Sequence, residues 1–264
     1  MILLDSLARN IIVMTNQKTL NVILLFAFLI TLFVNYLSNA LPINGFTAGQ
    51  LSDLYPNQFT PSGKTFAIWG LIYTMCVLAI IQLFREVEQF SSKVRILFIT
   101  SCVLNVSWLL AWHYQIVALS VVIMIAFLTS LILLYIEVRN QEKVDWSLES
   151  TSSIYLGWIS VALIANSTTF LLGFDFFANL SESTESLIAS IMIIIALGLS
   201  GFFVYQYRDW MYAGVVCWAS YGIYEKRLSV KDVNDSLITN VSFGVFFLCI
   251  ILIFITIFLR FKRI

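Results

Sequence analysis

The chain has 264 residues, 60% of them hydrophobic and 11% charged, and its 15 Lys+Arg balance its 15 Asp+Glu. A soluble domain is about 45–50% apolar and about 25% charged, and burial saturates with size, so a soluble enzyme, a nucleic-acid binder and a disordered chain are excluded. The mean hydropathy of +0.91 leaves lipid as the solvent that suits this surface.

Runs of about 20 apolar residues are the mark of spanning helices. They lie at 19–40, 61–84, 96–112, 115–136, 150–172, 187–205 and 237–259. An eighth candidate, 210–224, has 15 residues between Asp209 and Glu225. At ~1.5 Å per residue it reaches only about 22 Å, against roughly 30 Å of hydrocarbon. A spanning β-barrel would show short alternating segments instead. The fold class is therefore an all-α membrane protein, a polytopic bundle of about eight transmembrane helices, with seven as the alternative.

Residues 1–18 read as an N-terminal cytoplasmic segment. Asp5, Asn10, Asn16 and Gln17 argue against a cleavable signal, so the first span is expected to stay as an anchor. In the connection 41–60, Asn44-Gly45 is a turn pair, and Thr47-Ala-Gly-Gln50 has the form of a capping box. That predicts a short interfacial helix through Leu54. Thr60 is expected to cap the second span, with Pro61 in its first helical position. The connection is either a cover over a pocket mouth or a plain link.

Charge sets the orientation. With eight helices, the N-terminal side collects 11 cations, namely Arg9, Lys18, Arg85, Lys93, Arg95, Arg139, Lys143, Arg208, Arg260, Lys262 and Arg263. The other side holds four, Lys64, Lys226, Arg227 and Lys231. Positive charge stays inside, so both termini are expected in the cytoplasm, in a plasma (inner) membrane.

Catalytic groups are scarce. The single histidine, His113, falls at the outer end of the third span and reads as an interfacial residue. Cys76, Cys102, Cys217 and Cys249 all lie in apolar runs and read as packing residues. No lysine, aspartate or glutamate falls mid-span, which disfavours a Schiff base and an ion relay. The expectation is no catalytic residue and no metal site.

Aromatic and polar residues do recur at helical spacing. Trp69 and Tyr73 are i,i+4; Asn105, Trp108 and Trp112 form one stripe; Tyr155, Trp158, Ala162 and Asn166 form another. Indole N–H, phenol O–H and amide groups need partners away from water, so these stripes should face inward. Either the asparagines are interhelical glue and the indoles fill a core, or together they line a cavity for a flat apolar ligand.

At these residues the sequence resembles the tryptophan-rich sensory protein / translocator protein (TspO/MBR) family, in a long form with extra C-terminal helices. Residues 60–73 resemble its helix-2 pattern through Pro61, Trp69 and Tyr73. Leu104-Asn105-Val106-Ser107-Trp108 is similar to its helix-3 L-N-x-x-W. Tyr155, Trp158, Ala162 and Asn166 follow its helix-5 Y-x-x-W-x-x-x-A-x-x-x-N. Two positions depart from the pattern: Thr60 stands for the first of two prolines, and Gly63 for a tryptophan of the family's ligand cage.

The resemblance implies a five-helix translocator-like core over 19–172, with 173–264 as additional transmembrane helices. It implies a small-molecule binding protein for a tetrapyrrole or similar amphipathic ring ligand, acting as sensor or translocator. Its partners would be the lipid bilayer, a hydrophobic small molecule and a second copy in a homodimer, with no nucleic acid. No cofactor is expected beyond a bound tetrapyrrole as ligand. The ligand-binding residues would be Trp69, Tyr73, Asn105, Trp108, Trp112, Tyr155, Trp158, Ala162 and Asn166. The alternatives are a membrane enzyme that modifies a tetrapyrrole or lipid, and a scaffold that docks a partner through its C-terminal helices.

Overall fold

The computed structural model describes residues 2–55, 57–174, 180–229 and 236–261. Among them lie α1 (Ile2–Ala40), α2 (Ala48–Asp53), α3 (Ile68–Arg85), α4 (Ser92–His113), α5 (Val117–Arg139), α6 (Trp146–Leu171), α7 (Glu182–Tyr207), α8 (Trp210–Ser229) and α9 (Ser236–Phe261), and no strand. Seven of these helices are long and apolar enough to cross a membrane; α2 and α8 are the exceptions. The chain is an integral, multi-pass, all-α membrane protein. Such a fold satisfies its backbone within each helix, as hydrocarbon demands.

Five helices close a ring in which α1 packs on α4, α4 on α5, α5 on α6, α6 on α3 and α3 back on α1. The C-terminal helices stack outside it, with α8 against α6 and both α7 and α9 against α8. Arg208 takes a left-handed conformation (φ 54) at the end of α7. That lets α7 turn into α8 within two residues.

Polar pairing ties the helices where lipid cannot. Arg95 at the start of α4 is fully buried. Its Nε donates to Asn21 Oδ1 at 2.7 Å, its Nη2 to Val87 O at 2.9 Å and its Nη1 to Phe90 O. Asn21 Nδ2 in turn donates to Leu83 O at 2.7 Å. The sequence reading counted Arg95 among the loop cations. The structure corrects this: Arg95 is buried in α4, and its guanidinium is held by carbonyls of the connection 86–91 and by Leu83 O at the end of α3. His113, the last residue of α4, is buried with Nδ1 2.9 Å from Leu109 O. The four cysteines are buried and free.

The connection after α1 follows its sequence signals. Asn44 (φ 54) and Gly45 (φ 84) make the turn. Thr47 and Gln50 complete the capping box, with Gln50 N donating to Thr47 Oγ1 at 3.3 Å and Thr47 N to Gln50 Oε1 at 2.9 Å. Thr60, however, caps nothing; its amide donates to Asn57 Oδ1 at 2.9 Å. The third helix is entered through a 3-10 turn at Gly63–Ala67 with Ser62 in the N-cap position.

The largest departure is α8. It has 20 residues, about 30 Å at ~1.5 Å per residue, where the charged flanks suggested 15. Its N-terminal end lies beside the ends of α5 and α6. There Asp209 Oδ2 accepts from Tyr135 Oη at 2.8 Å and Arg139 Nη2 at 3.3 Å, and Ser153 Oγ donates to the same carboxylate at 2.7 Å. Its last turns lie beside the start of α3, where Ser62 N donates to Gly222 O at 2.9 Å. So α8 runs from the Asp209 cluster beside α5 and α6 to the turn that opens α3. Its Tyr, Gly and Ser content keeps it below the apolarity of the others, and burial by α6, α7 and α9 makes that tolerable.

Should α8 cross together with the seven apolar helices, the ends of α1 and α9 share one face. Reporter fusions should read outside at residue 180 and inside after residue 261; an external C-terminus would require α8 to leave the membrane. Asp209→Ala removes the acceptor for Tyr135, Ser153 and Arg139 and the cap of α8, and should destabilise the solubilised chain by about 3–5 kcal/mol, the scale for breaking a buried pair. Thermal unfolding checks it.

Candidate functional site

The ring of five helices is not filled. A cavity of about 520 Å³ lies between α1, α3, α4 and α6, at the end of the ring where α1 ends and α3 begins, and Ser52 of the α2 segment also lines it. Ligand sites generally run from about 300 to 1,000 Å³.

Each wall follows from a helical stripe. From α4, Trp108 and Trp112 project one turn apart with near-parallel rings, centroids 6.4 Å apart and planes at 16°. From α3, Trp69 stacks on Tyr73 at 5.5 Å and 23°. From α6, Trp158 meets the edge of Trp69 at 6.3 Å and of Phe66 at 5.9 Å. Ala162 and Ala165 leave room on the α6 side, one turn above Trp158. Small residues at a helix face create such space.

Seven of the nine residues singled out from the sequence line this cavity: Trp69, Tyr73, Trp108, Trp112, Trp158, Ala162 and Asn166. The other two, Asn105 and Tyr155, sit behind the wall. Asn105 Nδ2 donates to Tyr155 Oη at 3.0 Å, and Asn105 Oδ1 accepts from Asn35 Nδ2 at 2.8 Å. Asn105 and Tyr155 are 1% and 2% exposed. Asn166 has a face on the cavity, yet its amide is engaged: Oδ1 accepts from Trp108 Nε1 at 3.0 Å and Nδ2 donates to Ser120 Oγ at 2.9 Å. The two readings of the stripes are thus divided between residue types. The asparagines bridge helices and orient the rings, and the rings line the space.

Tyr73 turns its ring to the cavity, and its hydroxyl is buried behind the wall on the side of Asn105.

The sequence reading missed the α1 wall. Leu32, Asn35, Tyr36 and Asn39 line the cavity from that side. The signal was present as Thr31, Asn35 and Asn39, polar residues four apart in an otherwise apolar span. It also missed Phe66 and the opening turn of α3. Gly63 lines the cavity, and a Cβ built there meets no atom within 4 Å. The ring that Gly63 lacks therefore has space.

No curated protein and no solved structure matches the chain. The family profile of TSPO-like protein matches residues 21–258, through the five-helix ring and on through α7, α8 and most of α9. A ligand-binding or translocator-type role in the membrane goes with that family. With the profile spanning nearly the whole sequence and a tryptophan-lined cavity at the place its helix motifs meet, the chain belongs to the TSPO-like protein family.

Proposed function

We propose that this protein binds an amphipathic ring molecule, a tetrapyrrole or a compound of similar shape, in the cavity between α1, α3, α4 and α6, and acts as a sensor or translocator in a plasma (inner) membrane with both termini cytoplasmic. The observation that carries the reading is the convergence of four indoles, Trp69, Trp108, Trp112 and Trp158, on the wall of a single cavity. Flat rings stack offset or edge-to-face on indoles. The Asn166 amide at the wall is already engaged with Trp108 and Ser120, and the ligand's apolar faces are the main source of affinity.

Quenching of tryptophan fluorescence by a porphyrin series tests this. Trp69→Leu, which removes one stacking face, should weaken porphyrin binding about two- to tenfold, since an aromatic pair contributes roughly 0.5–1.5 kcal/mol. Equal affinities for wild type and Trp69→Leu would contradict the assigned role. Gly63→Trp should tighten binding about two- to tenfold, since an added aromatic pair contributes roughly 0.5–1.5 kcal/mol. Asn166→Ala should instead lower thermal stability by about 1–3 kcal/mol, because it strands the Trp108 indole N–H. Trp158→Phe, which keeps a ring but shrinks it, should fall between wild type and complete loss of quenching.

A further inference from the structure

The wall segment that opens α3 is held from behind. Residues 60–67 have two sides. Thr60, Pro61, Gly63 and Phe66 line the cavity. Ser62 and Thr65 face α8 and are bound to it at three levels. Trp218 Nε1 donates to Thr65 O at 2.8 Å. Ser62 N donates to Gly222 O at 2.9 Å. Glu225 accepts from Ser62 Oγ at 2.7 Å through Oε2 and pairs with Lys64 Nζ at 2.8 Å through Oε1.

The approach at Gly222 admits no side chain. A Cβ there would lie 1.9 Å from Thr65 Oγ1 and 2.9 Å from Thr65 Cβ. One helix further in, α8 also presses on α6, where a Cβ on Gly157 would lie 3.1 Å from Val215 Cβ. Gly157 precedes Trp158, and Trp158 meets Phe66 edge to face. A single helix outside the ring therefore backs both partners of the Phe66–Trp158 contact. Its inner end cannot drift, because Asp209 fixes it to α5 and α6.

We propose that α8 is the strut that sets the mouth of the cavity, with Glu225 and Gly222 as positioning residues that hold segment 60–67 closed over a bound ring ligand. This rests on the ligand-binding reading above for its consequence, though not for its geometry. Glu225 is the outermost tie. Lys64 is 82% exposed and Glu225 32%, so this tie is the one that water and salt can loosen. Its loss removes the Ser62 Oγ and Lys64 ties and leaves the Gly222 and Trp218 bonds, so Pro61, Gly63 and Phe66 swing outward more often while the Asp209 end of α8 stays in place.

Two readouts on the full chain in detergent test it, one without ligand. Thr60 is 5% exposed and lines the cavity. In a Thr60→Cys chain, maleimide labelling of the new thiol reports how often the mouth opens. Adding Glu225→Ala should speed labelling about two- to fivefold, the scale of an exposed ion pair and its hydrogen bond. In chains with Thr60 intact, Glu225→Ala should speed release of protoporphyrin by the same factor and change its association rate less. The exchange Lys64→Glu with Glu225→Lys restores the ion pair but not the carboxylate that accepts from Ser62 Oγ, so it should recover both rates in part. Gly222→Ala should act in the same direction and more strongly; if it fails to fold, the Glu225 variants decide alone. Labelling and release both unchanged by Glu225→Ala would overturn the proposal. Faster labelling in a chain whose wild type binds no protoporphyrin would remove the tetrapyrrole reading and leave the strut standing.

Discussion

Asp209 is the buried carboxylate on which the placement of α8 depends. It is 2% exposed, and burying a polar group without hydrogen-bond partners is costly. The bonds come from three helices. Tyr135 and Arg139 reach it from α5, Ser153 from α6, and the amides of Met211 and Tyr212 from the first turn of α8, at 3.0 and 3.1 Å. Arg139 is shared with Glu149 at 3.0 Å and lies over the Tyr135 ring at 4.4 Å. The first turn of a helix also carries the partial positive charge that favours an anion. Five groups from three helices meet on this one carboxylate, so the cluster ties the start of α8 to α5 and α6.

From that anchor the rest of α8 follows. A rigid helix about 30 Å long carries the constraint from one end of the bundle to the other, and Gly222 arrives against Thr65 because Asp209 sits where it does. The C-terminal helices are in this sense part of the cavity's construction. They place no residue in its lining, yet they back the turn that forms its mouth and the α6 segment that carries Trp158.

Within the ring, polar groups are distributed by the same rule. Between helices in lipid there is little hydrophobic drive, and packing and hydrogen bonds select the contacts. Asn35, Asn105 and Tyr155 form one chain of bonds across α1, α4 and α6. Asn166, Trp108 and Ser120 form another across α6, α4 and α5. These chains hold the indole faces open to the cavity. Trp69, touching Tyr73, Tyr155 and Trp158, joins the wall to the bonded layer behind it.

Composition and periodicity by themselves determined the class, the seven apolar spans, the capping box at Thr47 and Gln50, and the inward stripes of α3, α4 and α6. These are local properties: hydropathy is read over one helix length, and a stripe is a spacing within one helix. Only the tertiary structure decided which stripe residues line space and which bond to each other. Asn105 and Asn166 have the same side chain and both belong to inward stripes, and their difference lies in the partner helix each one faces. Local reading also cut α8 short at Glu225, because a carboxylate reads as a helix end in lipid unless its partners, Ser62 and Lys64, are known to stand opposite. It placed Arg95 in a loop for the same reason, since Asn21 on α1 and the carbonyls of Val87 and Phe90, which together satisfy its guanidinium, converge only in the folded chain. Pairings between residues 161 or 163 positions apart, as for Lys64 and Ser62 with Glu225, are set by how helices pack, and no window of sequence contains them.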